Sequence, residues 1–331
     1  MRPSTRSFNR HHWTEKINEE TSSEAEECKA KEYKLQLKYA NIIGWIIVHS
    51  IFLYGLYVIL TGSVKWQTFL FAWILYWFSG FGGTAGAHRL WTHRAFKATF
   101  KLRLLLCYFN CTCYIGSIYD WVRDHRVHHK YTETDADPHN ALRGFFFSHI
   151  GWLMCKKHPE VIAKGKLIDM SDVEADPIVR IQRKYYYPLV FLCCFAIPTL
   201  VPHLFWSETV SNAFLVPGIV RWVIQLHAIF LVNSAAHLYG RHPYDKNINP
   251  AENFFVSAVV GGEGFHNYHH VFPWDYRASE LGWLFNPTKT FIDAMAAIGW
   301  AYDLKTAKPS VIRHRKEKCG DIHEFGPYGY Y

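Results

Sequence analysis

The sequence has no CxxC pair, and its eight cysteines are spread over 331 residues. Zinc fingers need closely spaced cysteine pairs and small secreted domains need a dense disulfide framework, so neither class fits this chain. Charged residues are scarce, at 19%. No apolar run follows a short basic start, so a cleavable signal peptide is not predicted. The chain instead is rich in apolar and aromatic side chains.

Half of the residues are hydrophobic, and they gather into four runs long enough to cross a bilayer as helices. The first three runs contain no charged residue, and the fourth contains only Arg221. Short links join the first run to the second and the third to the fourth. The sequence therefore predicts an all-α integral membrane protein with four transmembrane helices in two hairpins, at Asn41–Leu60, Trp66–Ala87, Tyr185–Trp206 and Leu215–Ala236.

Four spans place both termini and the middle segment on one side of the membrane. That side carries nearly all of the basic residues, so it is predicted to be cytosolic. The expected organisation is a flexible tail over residues 1–40, a central domain over 41–305 and a C-terminal tail over 306–331. The net charge of +8 then belongs to the cytosolic face of a membrane protein, and nucleic-acid binding is not predicted.

Histidines form three clusters among the 20 in the chain. Two clusters share the spacing i, i+3, i+4, which puts three imidazoles on one face of a helix, and they are His125, His128, His129 and His266, His269, His270. The remaining cluster pairs His88 with His93. On an ideal α-helix their side chains would point about 140° apart around the helix axis. Glycines precede this pair, so we expect the helix to fray or bend there.

The clusters lie at one edge of the predicted membrane. His88 directly follows the second span and His237 the fourth, and Asn233 lies one helical turn before His237. Nine imidazoles packed together would repel one another if protonated, so shared metal is the expected explanation. Nine exceed the ligands of one ion, which predicts two metals in a cytosolic helical cap. Imidazole suits iron, copper, zinc and nickel alike.

Other histidines have simpler expected roles. Those isolated within the spans, such as His49, His203 and His227, are predicted to be hydrogen-bonded packing residues. His139 and His149 flank the second cluster without its spacing and are not expected to bind metal.

Around the clusters the chain resembles the membrane fatty acyl-CoA desaturases of the stearoyl-CoA desaturase type, especially insect-like members. The similar stretches are GAHRLWTHRAFKA, DWVRDHRVHHKYTETDADPHN, RGFFFSHIGWL, NSAAHLYG and GEGFHNYHHVFPWDYRASE. The resemblance implies two iron ions, held by nine histidines and, through water, by an asparagine. Those positions are His88, His93, His125, His128, His129, Asn233, His237, His266, His269 and His270.

The resemblance also implies the reaction and its partners. Such enzymes use O2 to form a cis double bond in a saturated fatty acyl-CoA. Their electrons come from NADH through a reductase and cytochrome b5, in the endoplasmic reticulum membrane, with both termini cytosolic. No HPGG haem motif occurs here, so cytochrome b5 is expected as a separate protein. Family correspondence places substrate contacts at Asn41, Tyr76, Gly80, Trp121, Arg123, Asp124, Lys156 and Lys157.

The position of the double bond is predicted from a tetrapeptide. Asn249-Pro250-Ala251-Glu252 resembles the NPVE sequence of insect-type Δ9 members, which act on chains of about C16–C18. Desaturation at Δ11 or Δ10 is the first alternative, and a membrane di-iron lipid hydroxylase is the second. A metal transporter is a third alternative from another class. It is less expected, because transporter sites lie near mid-membrane and these histidines lie at one edge.

Overall fold

The computed structural model describes residues 34–281 and 285–321. The features below belong to one compact unit that begins at Leu37. Most of the predicted N-terminal tail and residues 322–331 of the predicted C-terminal tail lie outside the described residues. The domain boundaries therefore stay predictions.

The first half of the described chain is helical, with two long helices followed by shorter ones. The helices are α1 (Tyr39–Leu60), α2 (Trp66–Phe81), α3 (Phe100–Cys113), α4 (Ile118–Tyr131), α5 (Phe145–His149) and α6 (Pro159–Gly165). Helix α2 continues without a break into a π-helix over Gly82–Thr92. Short 3₁₀ turns at Ala141–Arg143 and Gly151–Met154 flank α5.

The second half adds two more long helical stretches and the helices that carry the third histidine cluster. They are α7 (Ser171–Ala175), α8 (Pro177–Lys184), α9 (Tyr186–Val190), α10 (Ile197–Trp206), α11 (Val210–Ala213), α12 (Arg221–Asn233), α13 (Ala235–Leu238), α14 (Phe254–Val260), α15 (His266–Val271), α16 (Pro287–Ala297) and α17 (Pro309–Cys319). π-Helical segments join α9 to α10 at Phe191–Ala196 and α11 to α12 at Phe214–Val220. Two short strands, β1 (Lys97–Ala98) and β2 (Ala301–Tyr302), pair antiparallel.

Three helical stretches of the described chain are long and apolar enough to cross a membrane: Tyr39–Leu60, Tyr186–Trp206 and Val210–Leu238. They coincide with the first, third and fourth predicted spans. The second predicted span is helical throughout but is not among them, because its many Trp, Tyr and Gly residues make it less apolar than an aliphatic helix. A mostly helical fold with spanning helices is therefore confirmed, while the four-span count stays a prediction.

The spanning helices differ in how deeply they are packed. In the most apolar part of Val210–Leu238, 72% of the residues are buried, against 11% in Tyr39–Leu60. The fourth predicted span is thus the central helix, and α1 is peripheral, with its apolar side chains directed outward. Such a helix needs an apolar surrounding, which a bilayer provides.

A glycine allows the first histidine segment to pack closely against α3. A Cβ atom on Gly82 would lie only 2.1 Å from the backbone nitrogen of Asn110, so no larger residue fits. The π-helix that carries His88 is therefore seated directly against the α3 backbone, which fixes the position of the first cluster.

Candidate metal centre and substrate cavity

A π-helix brings the two histidines of the first cluster together. The His93 N–H donates to the carbonyl of His88 at 3.1 Å, five residues back. This i→i+5 bond defines a π-helical turn, which is wider than an α-helical turn and aligns residues five apart. The two ring centres lie 4.8 Å apart. The expected fraying or bending is thus realised as an ordered π-helix.

All nine predicted histidines converge in two adjacent groups. Within each group, one ring nitrogen of every residue lies within 4.8 Å of the others. The first group has five members and the second has four, and the rings of His129 and His270 stack between them at 4.2 Å. The sequence did not predict how the nine histidines divide between the groups. The first group is His88, His93, His125, His129 and His269. The second group is His128, His237, His266 and His270.

The ring nitrogens of these groups are better placed to bind metal ions than to form hydrogen bonds with one another. The Nε2 atoms of His88 and His129 lie 2.9 and 3.0 Å from Nε2 of His269. A neutral imidazole has one N–H and one lone pair, so several converging Nε2 atoms cannot all be paired by hydrogen bonds. The buried Nε2 of His93 has no hydrogen-bond partner. Converging, unprotonated nitrogens are the donor set that divalent transition metals require.

Three carboxylates orient the histidines from outside the two groups. Glu263 contacts Nδ1 of His88 at 2.7 Å, and Asp137 contacts Nδ1 of His128 at 2.9 Å. His128 belongs to the second group, in which Glu133 also contacts Nδ1 of His237 at 3.3 Å. A carboxylate on one ring nitrogen fixes the tautomer that leaves the other free to bind metal.

Glu263 connects the first group to a buried arginine. Its other carboxylate oxygen accepts a hydrogen bond from Nη2 of Arg89 at 2.8 Å, and Arg89 is 1% exposed. Burial alone raises the pKa of Glu263, but Arg89 and His88 outweigh it and lower the pKa to about 2. The carboxylate is therefore ionised at neutral pH, and it balances the buried guanidinium while orienting His88.

Burial keeps six of the clustered histidines neutral. It lowers the pKa well below the usual value for His93, His125, His129, His266, His269 and His270, and the neighbouring histidines act in the same direction. Neutral imidazole is the form that binds metal. These residues are therefore competent ligands at pH 7.

This neutrality predicts acid sensitivity of the metal-free protein. Because the folded-state pKa values are depressed, the unfolded chain takes up protons near pH 6.5 that the folded chain does not. The contribution of these histidines to the free energy of unfolding is complete above pH 6.5, and it is lost as the pH falls below that value. We expect the thermal unfolding midpoint of metal-stripped protein in detergent to be lower at pH 5.5 than at pH 7.5. An equal or higher midpoint at pH 5.5 would contradict the neutral state.

Three cavities follow one another past the histidines. The largest, of about 560 Å³, is lined by Asn41, Trp121, Asp124 and Asn233 among others. A smaller cavity of about 50 Å³ shares Trp121 and Asn233 with it and touches His88, His125 and His266. An inner cavity of about 20 Å³ continues from there and includes Tyr76 and Gly80. The predicted tunnel residues thus line one series of cavities that passes both histidine groups.

The predicted headgroup residues lie around the outer end of this series. Arg123, Asp124 and Lys157 line a separate, open polar cavity of about 570 Å³, and Asp124 also lines the large apolar one. Asp124 pairs with Lys157 and, at 3.0 Å, with Arg123. Lys156 is exposed and lines neither cavity.

Comparison with known proteins agrees with this architecture. Residues 65–286 match the sequence model of the fatty acid desaturases. The chain belongs to the fatty acid desaturase family. The chain is 54% identical over 299 residues to the acyl-CoA Delta-9 desaturase of Acheta domesticus, covering 90% of this chain and 83% of that relative. The family membership predicted from the histidine motifs is confirmed, and members of this family are oxidoreductases.

Two further relatives show how widely the similarity extends. The acyl-CoA Delta(11) desaturase of Choristoneura rosaceana is 55% identical, covering 87% of this chain and 86% of its own length. The stearoyl-CoA desaturase of Homo sapiens is 51% identical, covering 87% of this chain and 80% of its own. Relatives at nearly equal identity thus act at different positions, and identity alone does not assign the position of the double bond.

The tetrapeptide at residues 249–252 packs behind the third histidine cluster. The Pro250 carbonyl accepts from the Asn267 side chain at 2.8 Å, and the Glu252 carboxylate accepts from the backbone of Tyr268 at 2.7 Å. Burial raises the pKa of Glu252 to about 8. The tetrapeptide lines none of the three successive cavities. In this desaturase its contacts therefore support α15 and do not meet an occupant of the cavities.

Sequence reasoning missed the three orienting carboxylates, although each lies within a stretch already singled out. Glu133 and Asp137 occur in TETDADPHN, and Glu263 occurs in GEGFHNYHH. The available signal was the requirement that metal-binding histidines receive a second hydrogen-bond partner. Acidic residues beside each cluster were the natural candidates.

Proposed function

We propose that this chain is an O2-dependent acyl-CoA desaturase that forms a cis double bond at Δ9 in saturated chains of about C16–C18. The observation that carries this proposal is the series of cavities that runs from the polar outer end past both histidine groups. An acyl chain lying there would have its middle methylene groups beside His88, His125 and His266. A pocket that is mostly apolar with a few placed polar groups is suited to such a substrate.

The metal that we propose is iron, two ions per chain, held by the nine histidines with Asn233 acting through water. When bound, the pair would supply the O2-activating chemistry needed to attack an unactivated C–H bond. The residues of the chain hold and orient the ligands and keep water away. Glu263, Asp137 and Glu133 fix the imidazole tautomers, and Trp121 closes the cavity wall where two cavities meet.

The CoA headgroup would lie at the polar outer end. Arg123 and Lys157 supply positive charge for the phosphates, and Lys156 directly precedes Lys157 in the sequence. Their pairing with Asp124 holds both side chains in place before the ligand arrives. Asn41 is fixed by its hydrogen bond to the Leu153 carbonyl at 2.8 Å, on the wall of the large cavity.

We further propose the membrane arrangement and the electron donors. Cytochrome b5 and its NADH-dependent reductase would deliver electrons at the cytosolic face of the endoplasmic reticulum. Residues 1–40, 88–184 and 237–331 would face the cytosol, with lumenal links at 61–65 and 207–214. We expect glycosylation tags inserted in 88–184 to stay unmodified, while a tag in 207–214 is modified. Modification within 88–184 would show that the span count is wrong.

The decisive test of the reaction is expression in yeast lacking its own desaturase, followed by mass-spectrometric location of double bonds. We expect growth without added unsaturated fatty acid and products with the bond at Δ9. The His269→Ala variant serves as the inactive control. Products mainly at Δ11, as in the relative from Choristoneura rosaceana, would correct the position alone. Oxygenated lipids without alkenes would show that the reaction is hydroxylation and not desaturation.

Chain length should be set by the inner cavity. An added Cβ at Gly80 would lie 3.1 Å from Nε2 of Gln225, so this end has no spare room. We expect Gly80→Trp to shift preference toward shorter acyl chains and to leave the double bond at its original position. The measurement is product analysis with C14, C16 and C18 acyl-CoA in parallel. A changed bond position with an unchanged length preference would contradict the role of this cavity.

A further inference from the structure

Three histidines outside the metal groups are joined by hydrogen bonds into one chain with a serine. Nε2 of His49, on α1, lies 2.9 Å from Nε2 of His227, on α12. Nδ1 of His227 lies 2.9 Å from Nε2 of His149, at the end of α5. Nδ1 of His149 then lies 3.0 Å from the hydroxyl oxygen of Ser234. We call these four residues the histidine chain.

Both ends of the histidine chain meet backbone carbonyls. Nδ1 of His49 lies 2.7 Å from the carbonyl oxygen of Trp45, and the hydroxyl of Ser234 lies 2.9 Å from that of Phe230. A carbonyl oxygen only accepts, so a hydrogen must point outward at each end. The direction of hydrogen-bond donation must therefore reverse at some point inside the histidine chain.

Counting hydrogens shows that the chain lacks one. Each neutral imidazole has one N–H and the serine has one O–H, so the four groups supply four hydrogens. The chain has five contacts when its two carbonyl ends are included. In the neutral state one contact must bring two lone pairs together. One additional proton would satisfy all five contacts, and each ring can pass it on by exchanging which nitrogen carries hydrogen.

The surroundings of the three imidazoles favour transient passage of a proton over a permanently protonated ring. The rings contact one another and the aromatic side chains of Trp45, Phe145 and Phe230. The electrostatic neighbours of His227 are His149 and His49 themselves. Burial lowers the pKa of His149, which disfavours holding the proton there permanently.

The histidine chain runs behind the substrate cavity and ends at Ser234, the residue after Asn233. Trp45 and Phe230 separate it from the large cavity, which both of them line. Ser234 directly follows Asn233, which lines the small cavity together with His88 and His125. Titratable histidines linked within a membrane-spanning region are a common basis of proton transfer.

We propose that the histidine chain is a proton relay that supplies the reaction from the Ser234 end. This rests on the proposed function: a saturated chain, O2, two electrons and two protons yield an alkene and two waters. The carbon chain and the donor protein are oxidised, O2 is reduced, and the two protons come from solvent. The relay itself forms no lasting bond, since each ring accepts a proton at one nitrogen and releases one from the other.

The kinetic test is His227→Phe, which keeps a planar aromatic ring, slightly larger than imidazole, and removes both nitrogens. We expect kcat to fall roughly tenfold at pH 8, below the usual full contribution of a proton-transfer group because water can replace part of the path. The deficit should shrink at pH 6, where protons are more abundant, and the solvent deuterium isotope effect on kcat should rise. KM for the acyl-CoA should change less than twofold. The matched control is His203→Phe, a spanning histidine whose Nδ1 lies 3.0 Å from the Glu208 carbonyl oxygen and which is not part of the histidine chain. This variant should behave as wild type.

A second readout does not depend on activity. Nitrogen-15 NMR of histidine-labelled full-length protein in nanodiscs should show that His227→Phe alters the titration of both His49 and His149. His149→Gln provides a second break in the chain if His227→Phe folds poorly. Loss of the His227 signal alone, with unchanged kcat and isotope effect, would overturn the relay. A wild-type protein that shows linked titration but forms no alkene would overturn the proposed function and leave proton sharing intact.

Discussion

Replacing any one of the nine clustered histidines with alanine is expected to abolish desaturation. Each supplies one nitrogen to a group in which the ligand atoms all lie within 4.8 Å of one another. Removing one leaves a ligand position open, and the neighbouring imidazoles are already fixed by helices and carboxylates and cannot replace it. Alkene formation should fall below about a thousandth of wild type, in line with losses seen for residues that act as a unit. The measurement combines product analysis with metal content per chain.

Two controls define what would contradict this result. His203→Ala and His314→Ala remove histidines that belong to neither group, and both variants should retain activity. Asn233→Ala should be milder than the histidine variants if this residue acts only through water. Near-normal activity in two or more of the nine alanine variants would show that the ligand assignment is wrong.

The second large effect is expected for Glu263→Gln. The glutamine keeps the size of the side chain but removes the charge that balances Arg89 and orients His88. Losing a partner of a metal-binding histidine typically lowers metal affinity about 10–100-fold. Leaving a buried guanidinium unpaired costs about 3–5 kcal/mol of the free energy of unfolding. Both effects come from one substitution, so they should appear together.

Metal retention after dialysis and thermal unfolding measure the two effects of Glu263→Gln. The control is Asp293→Asn, which removes a carboxylate from an ion pair with Lys289 whose acidic side chain is 40% exposed. Exposed pairs contribute little, so this variant should be nearly as stable as wild type. If Glu263→Gln keeps its metal and its midpoint, the carboxylate does not orient the first group.

The helical spacing of the histidines predicted which of them converge in two of the three clusters. The i, i+3, i+4 patterns place His125–His129 and His266–His270 on α4 and α15, as expected. The first cluster could not be predicted in detail, because the segment is a π-helix and the ideal 3.6 residues per turn do not apply to it. Glycines marked the irregularity without specifying its form. The division into two groups depends on distances between helices that a single sequence does not contain.

The orienting carboxylates and the cavity walls were harder to predict for a related reason. Glu133 is 104 residues from His237, and no local pattern connects them. Lys156 and Lys157 are neighbours in the sequence, yet only Lys157 lines the polar cavity, since the backbone direction decides which side chain points inward. The 249–252 tetrapeptide labelled a family group, but its contacts lie behind α15. The tetrapeptide therefore gives no structural basis for predicting the position of a double bond.

We propose that nine histidines hold two metal ions beside the substrate cavity. The most direct measurement is elemental analysis of the purified full-length chain combined with X-ray absorption at the metal edge. We expect two iron atoms per chain, coordinated by imidazole nitrogen with no sulfur neighbour. In His269→Ala, the content should fall by about one iron per chain, while His203→Ala should keep both. One metal per chain in wild type, or sulfur in its coordination, would contradict a two-iron site held by the nine histidines.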